Sequence, residues 1–421
     1  MKTPITFMCV QPCIPYYAWQ IEVMLTNFRD AGITSEFQVQ CLFAFNKNES
    51  DWEEKVAVIK KVEESMKNVA SFFYYEDTRV YPISYISSIR PNILKQHFKK
   101  YPNFSQECIF YHDCDIIFTK FPDFLYNLNE NDNNWYVSDT IGYIGHNYIQ
   151  SKGEEVLDAM CDIVGINKNL VKERESQSGG AQYLLKGVDW VFFDKMEKDC
   201  ESLFKNITEL NIKIAREHSL TNPSKPAYHE LQIWCADMWA ILWQGWMRGY
   251  NTKVIPELGF CWATDTSQKW HDTYIFHNAG VTSSSADRLF YKGNFTNKLP
   301  YYETGDNYDK NTASYKYFQI IKSIGKNSCL HIEQPEEHTE KPKSNILDKL
   351  SEIFESYMIA INPSDEQKDV AAKRLETCMS CEYWETSATG AKVCSKCGCY
   401  TKGKIFSPKG SEACPMGKWT I

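Results

Sequence analysis

Cys108 to Phe121 read CIFYHDCDIIFTKF. The apolar run Ile109-Phe110-Tyr111 leads into His112-Asp113-Cys114-Asp115, and Ile116-Ile117-Phe118 follows. A short apolar run of this kind predicts a strand buried on both faces of a parallel sheet. Two carboxylates inside such a run are costly unless a cation or a mobile proton compensates them. Strand alternation would put Asp113 and Asp115 on one side and Cys114 on the other. Two hard oxygen ligands converging on one point suit Mg²⁺ or Mn²⁺, with diphosphate oxygens completing the shell. The competing reading is a strand end whose aspartates cap a turn.

Upstream, Ile5–Val10 reads as a short strand broken by Gln11-Pro12 and Ile14-Pro15. Tyr17–Ala31 follows as an amphipathic helix, with Trp19, Val23, Leu25 and Phe28 apolar and Gly32 just past its end. Phe37–Phe45 is a second strand, Trp52–Lys67 a second helix and Ala70–Tyr75 a third strand. This alternation predicts a parallel sheet with right-handed crossovers, whose ligands sit at the carboxyl ends of the strands. Ile83–Phe98 reads as a helix interrupted by Pro91 and carrying Arg90 and Lys95.

Downstream, Trp135–Ser138 is a strand ending at Asp139, and Glu154–Val164 a helix. In SQSGGAQYLLKG, Gly179 and Gly180 permit close backbone approach, and a strand Ala181–Leu185 carries Gln182. In HELQIWCADMWAILWQGWMRGY, Trp234, Met238, Ile241 and Leu242 recur at helical spacing, and Asp237 interrupts the apolar pattern. Such a carboxylate is a candidate for a raised pKa and general-base work, or for pairing with Arg248. In TYIFHNAGV a short strand delivers His277 into a turn, and Lys292-Gly293 follow.

Apolar-Asp-x-Asp-apolar after an α/β half-domain resembles the signature of metal-dependent, nucleotide-sugar glycosyltransferases of the GT-A fold. The resemblance covers the first 325 or so residues by order of landmarks. It implies a Rossmann-type mixed sheet flanked by helices, a nucleoside-diphosphate sugar as donor and a hydroxyl acceptor. It implies that His277 completes the metal shell of Asp113 and Asp115, and that Arg90 approaches the diphosphate. Gly179 and Gly180 would close around the donor sugar, Asp139 and Gln182 would hold it, and Lys292 would face the departing diphosphate. Asp237 would be the base of an inverting reaction or the stabiliser of a retaining one. Other features resemble proteins of large bacterial viruses, whose transferases modify glycans or hydroxymethylated DNA bases.

A net charge of −8 leaves no global basic field, so nucleic acid enters only as an acceptor. No apolar run is long enough to span a bilayer. The N-terminal MKTPITFMCVQPC reads as a strand rather than a signal peptide, so a cytoplasmic location is expected. Of the 16 cysteines, those such as Cys41, Cys161 and Cys235 sit among apolar neighbours, as reduced core residues do. The rest cluster near the C-terminus. There, beyond a polar linker at 326–345, Ile346–Ala360 and Asp365–Thr377 read as helices. Cys378-x-x-Cys381 and Cys394-x-x-Cys397 form two knuckles that predict structural Zn²⁺ in a zinc-ribbon-like domain at 346–421. Cys399 and Cys414 are substitute ligands.

Two rival readings are a non-catalytic carbohydrate- or nucleotide-binding module and a nucleotidyltransferase. The first has no need of two intact aspartates. The second needs a Gly-rich phosphate loop, and QPCIPYYAW contains no glycine.

Overall fold

The computed structural model describes residues 4–80, 83–128, 132–221, 228–330, 365–386, 392–396, 401–407 and 409–419. They fall into two compact units. The first comprises Met1–Thr208, Leu231–Gly280 and Asn297–His331, and the second Glu209–Glu230, Val281–Thr296 and Ile332–Ile421.

The first unit is a mixed α/β structure built as the sequence predicts. Strands β1 (Ile5–Pro12), β2 (Gln38–Phe45), β3 (Ser71–Glu76) and β4 (Cys108–Tyr111) run parallel. Strand β5 (Ile116–Phe118) stands apart from them. Strands β6 (Asn134–Asp139), β7 (Gly179–Lys186) and β8 (Asn251–Val254) complete a seven-stranded sheet in the order β3-β2-β1-β4-β7-β6-β8. Only β7 opposes its neighbours, antiparallel to both β4 and β6. Helices Pro15–Asp30 and Trp52–Met66 make the first crossovers. The helix Pro15–Asp30 buries Trp19, Val23, Leu25 and Phe28. Phe7 of β1 and Phe110 of β4 meet ring to ring at 4.7 Å, and Phe28 joins them. Each such fully buried ring contributes about 1.5–3 kcal/mol by burial.

Two expectations are corrected here. The acidic stretch is not one strand. The backbone N–H of His112 donates to Met8 O at 3.1 Å, and the chain then leaves the sheet. Strand β5 belongs to a separate three-stranded sheet with β9 (Phe260–Trp262) and β10 (Ile275–His277), in the order β5-β10-β9. Asp113 and Asp115 therefore sit in the turn joining two sheets. Pro91 does not interrupt its helix either. A 3₁₀ turn at Ile86–Ser88 precedes the helix Ile89–Lys100, which places Pro91 in the first turn, where no intrahelical N–H is needed.

In the second unit, the helix Asp365–Met379 is followed by an antiparallel hairpin of β11 (Trp384–Thr386) and β12 (Lys392–Cys394). Its small core contains Ala371, Ile405, Ala413 and Trp419. The expected helix at 346–360, the linker beyond residue 330, Cys397 and Cys399 lie outside the described residues. Among the described residues no helix is long and apolar enough to cross a membrane.

Candidate metal centre

Three elements build the site. Strand β4 ends in the turn that carries Asp113 and Asp115. Strand β10 pairs with β5 so that His277 lies opposite Ile116. The Asn278 N–H then donates to Asp115 O at 2.9 Å, which ties the end of β10 to the acidic turn. The chain turns away at once, with Ala279 N bonded to His277 O and Gly280 in the left-handed region at φ +86. A side chain is rarely found in that conformation, which suits glycine.

Asp113, Asp115 and His277 are the only group of three or more His, Cys, Asp or Glu among the described residues whose ligand atoms lie within 4.8 Å of one another. His277 Nε2 lies 3.3 Å from Asp115 Oδ1 and 3.6 Å from Asp113 Oδ2. Neighbouring ligands of an octahedral ion bound at 2.0–2.1 Å stand about 3 Å apart, so the three atoms fit one small divalent cation. Two carboxylates and an imidazole make a mixed oxygen and nitrogen donor set for a divalent cation. Asp115 and His277 are 6% and 8% exposed, while Asp113 is half-buried and opens the site to one side. Trp262 stacks parallel to the His277 ring at 6.1 Å and Phe260 meets it edge-on at 5.3 Å, which fixes the imidazole plane.

Gln182 lies behind the imidazole. It is fully buried, and its amide spans Ser138 Oγ at 2.7 Å and His277 Nδ1 at 3.5 Å. Its position on β7 follows from an irregularity in the β6–β7 register between Val137 and Ser138. Gly179 and Gly180 lie inside β7 rather than in a turn. A Cβ at Gly179 would stand 2.4 Å from Val137 Cγ2, and one at Gly180 would stand 2.7 Å from Met238 Cε. Ala181, next to them, has φ 70, the only positive φ of a non-glycine among the described residues. A side chain at either glycine would therefore collide with its neighbours.

Arg90 flanks the other side. Its guanidinium bonds Asp113 Oδ1 at 2.9 Å and Asp237 Oδ2 at 3.3 Å. The second oxygen of Asp237 accepts from the Tyr85 hydroxyl at 2.7 Å. Burial raises the pKa of Asp237, while Arg90 and Tyr85 oppose the rise. Arg90 loses hydration on burial, but Asp113 foremost and Asp237 after it hold it firmly charged. Arg248 pairs with Asp189 instead of Asp237. Asp139 is exposed at the end of β6 and accepts the Ile141 N–H at 3.1 Å, capping a short helix. Lys292 lies on a 3₁₀ turn in the second unit.

Sequence reasoning missed Tyr85 and Ser138, which reach the site residues by contacts distant in sequence. It also missed two buried polar atoms beside the site that have no partner, His112 Nε2 and Asn278 Nδ2.

The fold and the three converging ligands define an α/β chain with a site for a divalent cation. No family model matches the chain, and no curated protein matches it. Among solved structures, it is similar to the bifunctional glycosyltransferase WbbM, with 8% identity over 78% of this chain and a TM-score of 0.41. The chain spans 50% of that structure's length. It is also similar to the galactosyltransferase LgtC in complex with donor and acceptor sugar analogues, at 11% identity over 75% of this chain and 95% of that one, with a TM-score of 0.34. The mannosyltransferase Ktr4p from S. cerevisiae matches at 10% identity, 48% of this chain, 62% of that one and a TM-score of 0.22.

Proposed function

We propose that this chain is a metal-dependent glycosyltransferase, moving a sugar from a nucleoside-diphosphate sugar to a hydroxyl of a glycan or of a hydroxymethylated base. One observation carries the reading. Asp113, Asp115 and His277 converge at the spacing of one small cation, at the carboxyl end of β4, where such sheets take their ligands. A bound Mn²⁺ or Mg²⁺ would neutralise charge developing on the departing diphosphate.

The chain's own residues hold and orient. Asp113 and Asp115 offer charged oxygens, and His277 offers Nε2. Ligation through Nε2 requires the imidazole proton on Nδ1. In the structure Ser138 Oγ donates to Gln182 Oε1 and the amide nitrogen faces His277 Nδ1, so ligation through Nε2 would call for the amide to turn over and present its oxygen to the Nδ1 proton and its nitrogen to Ser138. This role replaces direct contact between Gln182 and the sugar, for which a fully buried side chain is poorly placed. Asp237 has both oxygens engaged, so we assign it to positioning Arg90 rather than to proton abstraction. Arg90 supplies the fixed positive charge beside the acidic turn. Asp139, exposed at its strand end, is the polar group left to meet the donor sugar.

Nucleoside diphosphate released from a panel of nucleotide sugars with Mn²⁺ is the test. Asp113→Asn with Asp115→Asn should fold normally and abolish release, because an amide lacks the charge to hold the ion. Undiminished turnover in EDTA, or in the double variant, would sink the proposal.

We further propose that residues 1–325 form the transferase module, 326–345 a connection and 346–421 a module with a structural Zn²⁺ held by thiolates, in a cytoplasmic protein. Thiolate ligation needs reduced cysteines, which the cytosol maintains.

A further inference from the structure

We infer that the fourth thiolate of the zinc site is Cys414 rather than Cys397, so that the ion fastens the last stretch of the chain to the helix Asp365–Met379. The inference rests on the zinc reading above and assigns its ligands. Cys378 lies in the last turn of that helix, and the Cys381 N–H returns to its carbonyl at 3.0 Å in a knuckle turn. Cys394 ends β12, paired with Trp384 of β11. Cys414 follows the 3₁₀ turn Gly410–Ala413. These three segments bring Cys378, Cys381, Cys394 and Cys414 to the wall of one cavity, together with Trp384, Lys418 and Trp419. Four thiols complete a closed tetrahedral shell, which leaves no position for a fifth.

Donors surround the sulfurs as they would surround thiolates. The Lys418 N–H donates to Cys414 Sγ at 3.4 Å, and Lys418 Nζ lies 3.4 Å from Cys381 Sγ. A divalent ion with four thiolates carries two net negative charges, and such donors offset them. The buried indole N–H of Trp384 has no partner, and that of Trp419 faces the Cys378 thiol. A thiolate sulfur is an acceptor that both could share. The core around them is too small to hold three separate segments by burial alone. Sulfurs bound at about 2.3 Å in a tetrahedron stand about 3.8 Å apart. No three of the described thiols have their sulfurs all within 4.8 Å of one another. Closing on the ion therefore draws helix end, hairpin and C-terminal stretch together.

The test uses the full chain in an Asp113→Asn, Asp115→Asn background, so that only the thiolate site takes up metal. Protein purified under reducing conditions should carry about one zinc per chain. Replacement by Co²⁺ should give the intense sulfur-to-metal charge-transfer bands of a tetrathiolate site. Cys414→His keeps a fourth ligand, so that folding is preserved, and should shift those bands to a spectrum of three sulfurs and one nitrogen. Cys397→Ser should leave them unchanged. Loss of a tetrathiolate spectrum in Cys397→Ser, with the spectrum intact in Cys414→His, overturns the ligand assignment while zinc itself stands. A parent chain without zinc, its cysteines paired as disulfides, overturns the zinc reading as a whole.

Discussion

Replacing Arg90 by methionine removes the one cation that Asp113 and Asp237 share, while keeping the length of the side chain. A pair of unit charges about 4 Å apart is worth about 4 kcal/mol at an effective dielectric of 20. Removing one partner of a buried pair costs about 3–5 kcal/mol, because the remaining charge is left without compensation. The Arg90 side chain is 28% exposed, against 10% for Asp237, so water screens part of the loss. We therefore expect about 3 kcal/mol of destabilisation at pH 7. The pH dependence follows from Asp237, whose pKa burial already raises and which loses its main opposing charge in the variant. A carboxyl with a raised native pKa is no burden below its unfolded pKa near 4. Its penalty grows as pH rises through the native value. The variant should thus approach the wild type in stability as pH falls towards 4, and fall away from it above. Adding Asp237→Leu should recover part of the loss at pH 7 by removing the stranded charge. Urea transitions can be followed by tryptophan fluorescence, since Trp239, Trp243 and Trp246 are buried on the helix Ala236–Met247 that carries Asp237 in its first turn. A variant within about 1 kcal/mol of wild type at pH 7, or a loss independent of pH, would show that Arg90 is not the clamp described.

The remaining predictions are narrower. Gln182→Leu should weaken Mn²⁺ binding by about 10–100-fold, through loss of the Nδ1 partner of His277, with little change in fold; equal affinity by calorimetry would remove Gln182 from the site. His97, buried against Tyr75 and Gln40, has its pKa lowered to about 4 by burial. Its neutral form is favoured in the native state, so stability should fall as pH drops from about 6.5 to 4, by about 3 kcal/mol, and a His97→Gln variant should lack that part of the acid transition. Gly179→Ala should cost about 3 kcal/mol by overpacking against Val137, a loss visible in the melting temperature.

The β-α-β-α-β half of the first unit was legible because each element announces itself locally. Strand β1 is a buried apolar run, and the helix Pro15–Asp30 repeats its apolar residues at helical spacing. The helix Glu154–Val164 matches its expected limits, with Gly165 at φ 79 just beyond its end. The short strand and the turn after it placed His277, and the resemblance alone supplied its expected role as a ligand. Tyr85 and Asp237 were not legible as a pair. They lie 152 positions apart, and only the approach of two helix starts joins them. Gln182 stood out by its place near the start of a strand. Its burial behind His277, rather than towards a ligand, depends on the register shift between β6 and β7.

The acidic motif shows most plainly how a correct pair of residues can rest on the wrong local structure. In an extended strand, residues two apart on one face are separated by about 6.6 Å, because each residue rises about 3.3 Å. Ligands of one small divalent ion stand about 3 Å apart. Alternation on a strand would therefore have held the carboxylates of Asp113 and Asp115 too widely for a shared ion unless their side chains bent inwards. Leaving the ladder after Tyr111 frees the backbone at His112 to Asp115 to turn. The turn lets both carboxylates approach His277 Nε2, to 3.3 and 3.6 Å. The apolar residues on each side still do what the sequence pattern requires, since Ile109 and Phe110 are buried in one sheet and Ile116 and Ile117 in the other. An apolar run broken by Asp-x-Asp is thus better read as two strands of different sheets, with the chelating pair at the hinge between them.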